Sequence, residues 1–473
     1  MKIAIIGGGI SGLSAAFALQ KQAAAGAPVE YVLFEASSRL GGVLHSEKVD
    51  GCLVEGGPDS FLTEKPWATR LCGELGIGHE IIGSNDKDRK TYILVKNRLI
   101  AMPDGLMFLV PTKLIPTGLS PLFSWSTKFR MLLELMHPPR AADEDESVGD
   151  LVRRHFGQEM VERLADPLLS GVYGGTADML SVRAVLPRFV NMEAEHGSLS
   201  RAMIASSRRL AQMRREKGIA PPPLFSSLKN GMQSLVDALL ARLDAQCLRT
   251  NAPVQSVARQ AQRWEVRTTE GMELFDGIIL ATPARVASQL LSGVGRQLSE
   301  DLGKVEYSSS ITLTLGYGRE QLSGLPPGFG FLVPRTEGTR MLACTFVHNK
   351  FPNRAPADMG ILRCFLGGAH DEAILDSSDE ELTAIARREL KQILKLDAEP
   401  RFVRIACWRA SMAQYTPGHL DRLERIEAVL QTMPGLALAG NAYRGIGVPD
   451  CVRTGQAAAA RLAALATGST APV

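Results

Sequence analysis

The chain has 473 residues, more than one simple core accommodates, so two or three packed modules are expected. With 45% hydrophobic and 22% charged residues and a net charge of only +3, it lacks the global basic field of a nucleic-acid binder, and no nucleic-acid partner is expected. No apolar run reaches the ~18 residues a membrane-spanning helix needs, and Ile3–Ile6 is too short for a secretory signal, so a cytoplasmic protein, at most lying on a membrane surface, is expected.

In chain order, Lys2–Ile6 reads as a buried strand, Ile10–Gln22 as a helix rich in Ala and Leu, and Glu30–Phe34 as a second strand, together one βαβ unit. Gly7, Gly9 and Gly12 form G-x-G-x-x-G at the strand-to-helix junction. The first glycine permits the tight turn, the second lets backbone approach a pyrophosphate, and the third allows close helix–strand packing. The helix N-terminus then offers unpaired N–H groups and a positive dipole end to phosphates, which makes Gly8, Ile10 and Ser11 part of the same candidate cradle. Glu35 ends the second strand, where its carboxylate can accept from unphosphorylated ribose hydroxyls, favouring FAD or NAD over NADP.

From Tyr92 the texture changes. Residues 99–136 mix apolar residues with Pro and Gly, the acidic run Asp143-Glu144-Asp145-Glu146 reads as a solvated loop or helix start, and helical patterns continue to about Arg215. Pro221-Pro222-Pro223 looks like a boundary. A helix then runs from Gly231 to about Leu243, followed by strands at 246–257, 262–269 and 272–280. Strand-like stretches at 308–318, 328–334, 340–348 and 360–367 suggest a second sheet, closed by a helix at 378–395. Gly435–Gly440 reads as strand and turn, and Val452–Ala466 as an Ala-rich helix. The seven scattered cysteines include no C-x-x-C pair and read as buried reduced thiols; the eight histidines show no metal-ligand spacing, so no metal site is expected.

Two further segments separate FAD from NAD. Arg39-Leu40-Gly41-Gly42 follows Glu35, and Glu55-Gly56-Gly57-Pro58-Asp59 follows soon after; near the other end, Ala439-Gly440-Asn441 and Gly445-Ile446-Gly447-Val448-Pro449-Asp450 lead into the last helix. This arrangement resembles the amine-oxidase-like FAD superfamily. The resemblance implies FAD as cofactor, with Ala36, Arg39, Gly41, Gly42, Val43, Gly57, Pro58, Asp59 and Ser60 continuing its site. It also implies that Asn441, Ile446, Gly447 and Val448 face the isoalloxazine from a helix N-terminus, and that the backbone of Val254 pairs with the adenine. The expected fold class is α/β (α+β overall): a Rossmann-type FAD-binding domain (1–88 with 225–290 and 405–473), a mixed-sheet substrate domain (89–98 with 291–404) and a helical insertion (99–215).

Beyond the superfamily, an ordered set of segments is similar to the oxygen-dependent protoporphyrinogen/coproporphyrinogen III oxidase family. The set comprises Gly56–Phe61, Leu99–Pro103, Gly171–Gly175, Leu180-Ser181, Gly328–Pro334, Phe351–Pro356, Phe365–Gly368, Gln414-Tyr415 with Gly418-His419, and Gly445–Val452. The resemblance implies oxidation of a porphyrinogen to the porphyrin in three two-electron steps, with hydride passing to the flavin and O₂ as acceptor, giving H₂O₂; no side chain is then required as a catalytic acid, base or nucleophile. Gly171 would lie against the macrocycle, Leu332 and Phe365 would sandwich pyrrole rings, and Thr345 and Phe346 would form another wall.

Two departures stand out: Thr91 where plant and animal members carry a propionate-binding arginine, with Arg89 and Lys90 beside it, and Ala413 where the family usually has proline. Protoporphyrinogen IX and coproporphyrinogen III therefore stay open as substrates. The family's helical insertion docks on membranes, which makes Phe108, Leu109, Leu122, Phe123 and Trp125 anchoring candidates; an internally packed helical domain is the competing expectation. A homodimer and a downstream ferrochelatase are further partners raised by the resemblance. The competing functional readings are a polyamine oxidase or carotenoid desaturase on the same fold, and a non-redox carrier related to GDP-dissociation inhibitors.

Overall fold

In a computed structural model of the protein, residues 1–107, 109–140, 144–218 and 221–467 are described. The run Ile3–Ile6, buried on both faces, is the strand pattern of a parallel sheet covered by helices. Lys2–Ile6 is the middle strand of a five-stranded parallel sheet in the order Leu248–Arg249, Glu30–Phe34, Lys2–Ile6, Gly277–Leu280 and Leu436–Leu438. The helices Ile10–Ala24 and Val448–Thr467 pack on one face. They approach so closely that a Cβ on Gly455 would lie 2.1 Å from the Ser11 carbonyl oxygen. The other face is covered by the antiparallel strands Val254–Gln260, Arg263–Thr268 and Gly271–Phe275 and by the helices Ala284–Leu291 and Arg296–Gly303.

A seven-stranded sheet forms the second layer system, in the order Phe402–Gln414, Glu306–Gly318, Met359–Gly367, Met341–Phe346, Gly330–Leu332, Thr91–Val95 and Arg98–Ala101. Only Gly330–Leu332 and Thr91–Val95 run parallel. Its edge strand Phe402–Gln414 straddles the expected boundary at 404/405, because residues 405–414 pair with Glu306–Gly318 and not with the dinucleotide sheet. The strand expected at 340–348 stops at Phe346, where the chain turns into the short helix Val347–Lys350. One face of this sheet packs under the helix Asp379–Leu394, burying Tyr92, Leu94, Phe331, Cys344, Phe346, Leu362 and Cys364.

Helices from Leu114–Leu119 through Leu199–Lys217 make up the insertion and enclose a core of their own. Leu109, Leu122 and Phe123 belong to that core and are buried, which corrects their reading as membrane anchors; Phe108 lies outside the described residues. Of the four that are described, Trp125 alone is exposed, by 80%. The acidic run forms the loop before the helix Val148–Phe156, with Glu144 exposed and the next two carboxylates pinned. Asp145 accepts from Ser181 Oγ at 2.7 Å and from Gly418 N–H at 3.0 Å, and Glu146 pairs with Arg154; Asp143 lies outside the described residues. Of the cysteines, Cys247 is half-buried and Cys407 exposed, so the reading of seven buried thiols holds for five. Among the described residues no helix is long and apolar enough to cross a membrane.

Candidate functional site

The G-x-G-x-x-G turn has the geometry its spacing demands. Gly7 takes φ +108°, and a Cβ there would stand 2.6 Å from the Ala281 carbonyl oxygen; one on Gly12 would stand 1.9 Å from the Gly7 carbonyl oxygen. At Gly9, by contrast, no atom lies within 4 Å of the Cβ position, so the space above its backbone is open at the N-terminus of the helix Ile10–Ala24, beside the first-turn residues Ile10 and Ser11. Glu35 accepts the Gly8 N–H at 2.7 Å and the Ser37 N–H at 2.8 Å, and its carbonyl takes the Ala252 N–H at 2.9 Å. The last bond draws the segment leading to half-buried Val254 to the same edge; Ala36 is exposed there.

The next turn is folded over the first. Gly41 N–H donates to the Gly8 carbonyl at 2.8 Å, and Gly42 lies so close that its Cβ would meet Gly9 Cα at 3.2 Å. Arg39 closes this turn by donating to the carbonyls of Gly42, Leu44 and Leu40. Gly57 passes under Val43, 1.8 Å from a Cβ to the Val43 carbonyl oxygen, which carries Pro58, Asp59 and Ser60 to the same place. From the far end of the chain, Tyr415 OH donates to the Asn441 carbonyl and accepts from Gly445 N–H, fixing the loop that brings Ile446, Gly447 and Val448 to the start of the closing helix. Lys65 clamps that helix start through Asp450 at 2.6 Å. Thr282 Oγ1 is buried beside Gly7 without a hydrogen-bond partner among the described residues. An open, glycine-lined helix N-terminus with an adjacent orphan hydroxyl and a ribose-height carboxylate fits a dinucleotide such as FAD.

The second half of the site is the other face of the seven-stranded sheet. Register places Leu332, Ala343, Phe365 and Thr312 in one cross-strand row and Thr91, Gly330, Thr345, Arg363 and Thr314 in the next, all on that face. Leu332 and Phe365 stand two strands apart, about 9.5 Å, with only the methyl of Ala343 between them, a slot wide enough for a flat ring. Gly171, on the helix Asp166–Tyr173, lies over this row, its Cβ position 3.6 Å from Leu332 Cδ2. That helix end is held by Gln414, whose Nε2 donates to the Tyr173 carbonyl at 2.7 Å and Ser308 Oγ at 2.9 Å. Burial pushes the Tyr173 hydroxyl up to about 12. Phe346 is not in this group. Strand alternation turns it to the opposite face, where it is fully buried against Phe331, which corrects its placement as a substrate wall. Arg89 and Lys90 are exposed just before the Thr91 strand.

Several groups invisible to motif reading join the two halves. Thr312 Oγ1 and Trp408 Nε1 both donate to the Gly56 carbonyl, at 3.1 and 2.7 Å, and Arg363 donates to that of Gly57. Lys350 Nζ lies 3.0 Å from Asp59. Burial would raise the Asp59 carboxyl, but Lys350 and Arg363 outweigh it and hold the group well below the usual carboxylate range. Counting back two residues from Phe365 along its strand could have found Arg363; nothing local marks Lys350 or Trp408.

The fold and this site define a flavin-dependent oxidoreductase. Residues 10–463 match the flavin containing amine oxidoreductase family, and the chain belongs to it. It is 33% identical to the coproporphyrinogen III oxidase of Bacillus subtilis (strain 168), over 96% of each chain, and 31% identical to that of Staphylococcus aureus, over 97% of this chain and 98% of the other. A crystal structure of a candidate protoporphyrinogen oxidase from Exiguobacterium sp. 255-15 superposes with a TM-score of 0.87 at 31% identity, covering 99% of both chains. Putrescine oxidase, at 18% identity and a TM-score of 0.68 over 98% of this chain and 99% of the other, shares the fold.

Proposed function

We propose that the protein is an FAD-dependent porphyrinogen oxidase of haem biosynthesis that converts coproporphyrinogen III to coproporphyrin III, with O₂ as acceptor and H₂O₂ as second product. The near full-length similarity to coproporphyrinogen III oxidases carries this reading. The Leu332–Ala343–Phe365 slot under Gly171 supports a flat macrocycle as substrate, and Thr91 supports a carboxylate pattern different from that of members with an arginine there.

Bound FAD supplies the two-electron acceptor for each of the three dehydrogenations. Gly7 to Gly12 and Glu35 would hold its pyrophosphate and ribose, Gly41 to Val43 and Gly57 to Ser60 would continue that site, and the helix starting at Val448 would offer its positive end to the reduced ring. The chain's remaining work is positioning. Leu332 and Phe365 grip a pyrrole ring, Gly171 admits the macrocycle where a larger side chain would occupy its plane, and the apolar walls keep water from the reacting methylene bridge. The test is porphyrin fluorescence in air after adding anaerobically prepared coproporphyrinogen III or protoporphyrinogen IX to FAD-loaded protein. Rapid FAD-dependent formation of coproporphyrin is expected; no enzyme-dependent rise with either substrate from a yellow protein would sink the assignment.

A peripheral membrane contact belongs to the same proposal, on different residues from those the sequence suggested. Trp125, Phe129, Leu132, Leu133 and Met136 recur at helical spacing and are all exposed, beside exposed Ile115 and Leu119 on the preceding helix. A solvent-facing stripe of this kind is a membrane-interface pattern, and Lys128, 4.5 Å from the Trp125 ring, adds a cation at its border. Flotation with vesicles of phosphatidylglycerol and phosphatidylethanolamine is expected to carry the protein upward, and Trp125→Glu with Phe129→Glu to leave it in the soluble fraction.

A further inference from the structure

Beneath the Gly56–Ser60 turn lies a buried charge cluster that does not balance. Among the described residues, Lys350, Arg354 and Arg363 face two carboxylates, Glu55 and Asp59. Lys350 is committed to Asp59, with both carboxylate oxygens within 3.1 Å. Arg354 reaches Ser227 Oγ, while its Nη1 stays 3.6 Å from Glu55 with no hydrogen bond among the described residues. Glu55 is itself occupied by Ser46 Oγ at 2.5 Å and Met232 N–H at 3.0 Å. Arg363 is the least compensated. Its side chain is 5% exposed, its nearest carboxylate oxygen is 4.0 Å away on a carboxylate already taken by Lys350, and its Nε has no hydrogen-bond partner among the described residues.

A buried cation without its own counter-charge is costly and persists where an anion completes it. Arg363 donates to the Gly57 carbonyl and sits between Thr345 and Thr314 in strand register, two residues before Phe365 on the same strand, at the seam of the cofactor turn and the substrate sheet. Two anions could come there: a substrate carboxylate, or the negative charge that a flavin ring acquires on reduction. The depth of Arg363 and its bond to the turn favour the second, since a propionate would have to be drawn to the floor of the site.

We propose that Arg363 is the counter-charge for the anionic reduced flavin, with Lys350 neutralising Asp59 so that the net charge beneath the turn stays positive. This rests on the assignment of Gly57–Ser60 to the FAD site made above. It makes Arg363 a setting residue for the flavin's electron affinity, separate from the helix N-terminus at Val448.

Sulfite is the probe, because its adduct with oxidised flavin carries negative charge on the ring and forms without any porphyrinogen. A full unit charge acting over several ångströms at a protein-like dielectric changes such an affinity about tenfold or more. Arg363→Met, in FAD-loaded protein, is expected to raise the sulfite Kd about tenfold and lower the flavin midpoint potential, with Arg363→Lys close to wild type in both. Asp59→Asn removes the opposing charge and is expected to shift both readings the other way. Unchanged sulfite Kd and potential in yellow Arg363→Met protein would overturn the proposal. Should that variant fail to take up FAD, Asp59→Asn decides, with an unchanged or weaker adduct counting against it. Wild-type protein that forms coproporphyrin keeps the porphyrinogen reading whichever way these titrations fall, and wild-type protein that binds no FAD would sink both.

Discussion

Two glycines of one motif are predicted to fail in different ways when each is replaced by alanine. Gly9 has φ −70° and ψ 178°, which any residue adopts, and nothing stands within 4 Å of its Cβ position. Gly9→Ala should therefore fold as well as wild type or gain about 0.4–1 kcal/mol through a less flexible unfolded chain. The added methyl instead occupies the space that close phosphate approach requires. Losing one charge-assisted backbone hydrogen bond costs about 1.5–3 kcal/mol, which weakens FAD binding roughly 10- to 150-fold. Gly12→Ala meets backbone at 1.9 Å, so helix and strand must separate by an ångström or more. It should lose about 1–3 kcal/mol or more of stability as well as affinity. Quenching of flavin fluorescence during titration of apoprotein gives the affinities, and thermal melts of the same apoprotein give the stabilities. A Gly9→Ala protein that binds FAD within about threefold of wild type would refute the idea that the pyrophosphate crosses Gly9.

Other outcomes follow from the same geometry. Phe346→Ala opens a cavity in the core behind the sheet and should cost about 3–5 kcal/mol in chemical denaturation, with KM little changed in whatever remains folded, whereas Phe365→Ala should raise KM for the porphyrinogen at a smaller stability cost. Gly171→Ala brings a methyl to 3.6 Å from Leu332, an ordinary contact, so the melt should be unchanged while kcat/KM falls; an unaltered kcat/KM would place the macrocycle elsewhere. In the insertion, fully buried His155 bridges Glu134 and Glu193 at 3.1 Å each. Burial would lower its pKa, but the two carboxylates prevail and raise it, while burial of Glu193 is outweighed by His155 and Arg154, which hold that carboxyl at about 2. The His155 contribution is thus complete below its unfolded value of about 6.5 and is lost as pH rises through its raised folded value; that of Glu193 is complete above about 4.3 and is lost as pH falls toward its folded value. Urea midpoints measured across pH should show both limbs in wild type, and His155→Leu should remove the alkaline limb at a cost of about 3–5 kcal/mol, since it leaves Glu134 buried without its partner.

The dinucleotide half of the site was legible in the sequence because it is made by short-range constraints. Gly7, Gly12 and Gly57 are glycines because backbone occupies the place a Cβ would take, and the strand, turn, helix and acid that hold them are contiguous. Leu332, Thr345 and Phe365 became candidates only through family resemblance; register puts these three on one sheet face and Phe346, raised by the same route, on the other. One residue along a strand reverses the face, and which face meets the site depends on what packs behind the sheet, here the helix Asp379–Leu394. The residues proposed to meet a membrane followed the same logic: Leu109, Leu122 and Phe123 are as apolar as Trp125 and Phe129, and only the packing of the helical insertion decided which of them met solvent. Sequence determined the elements and the cofactor turn, since those depend on neighbours a few positions away. Tertiary structure alone brought Arg363 and Lys350 to Asp59 across about 300 residues, because no local rule governs which charges two distant segments will bury together.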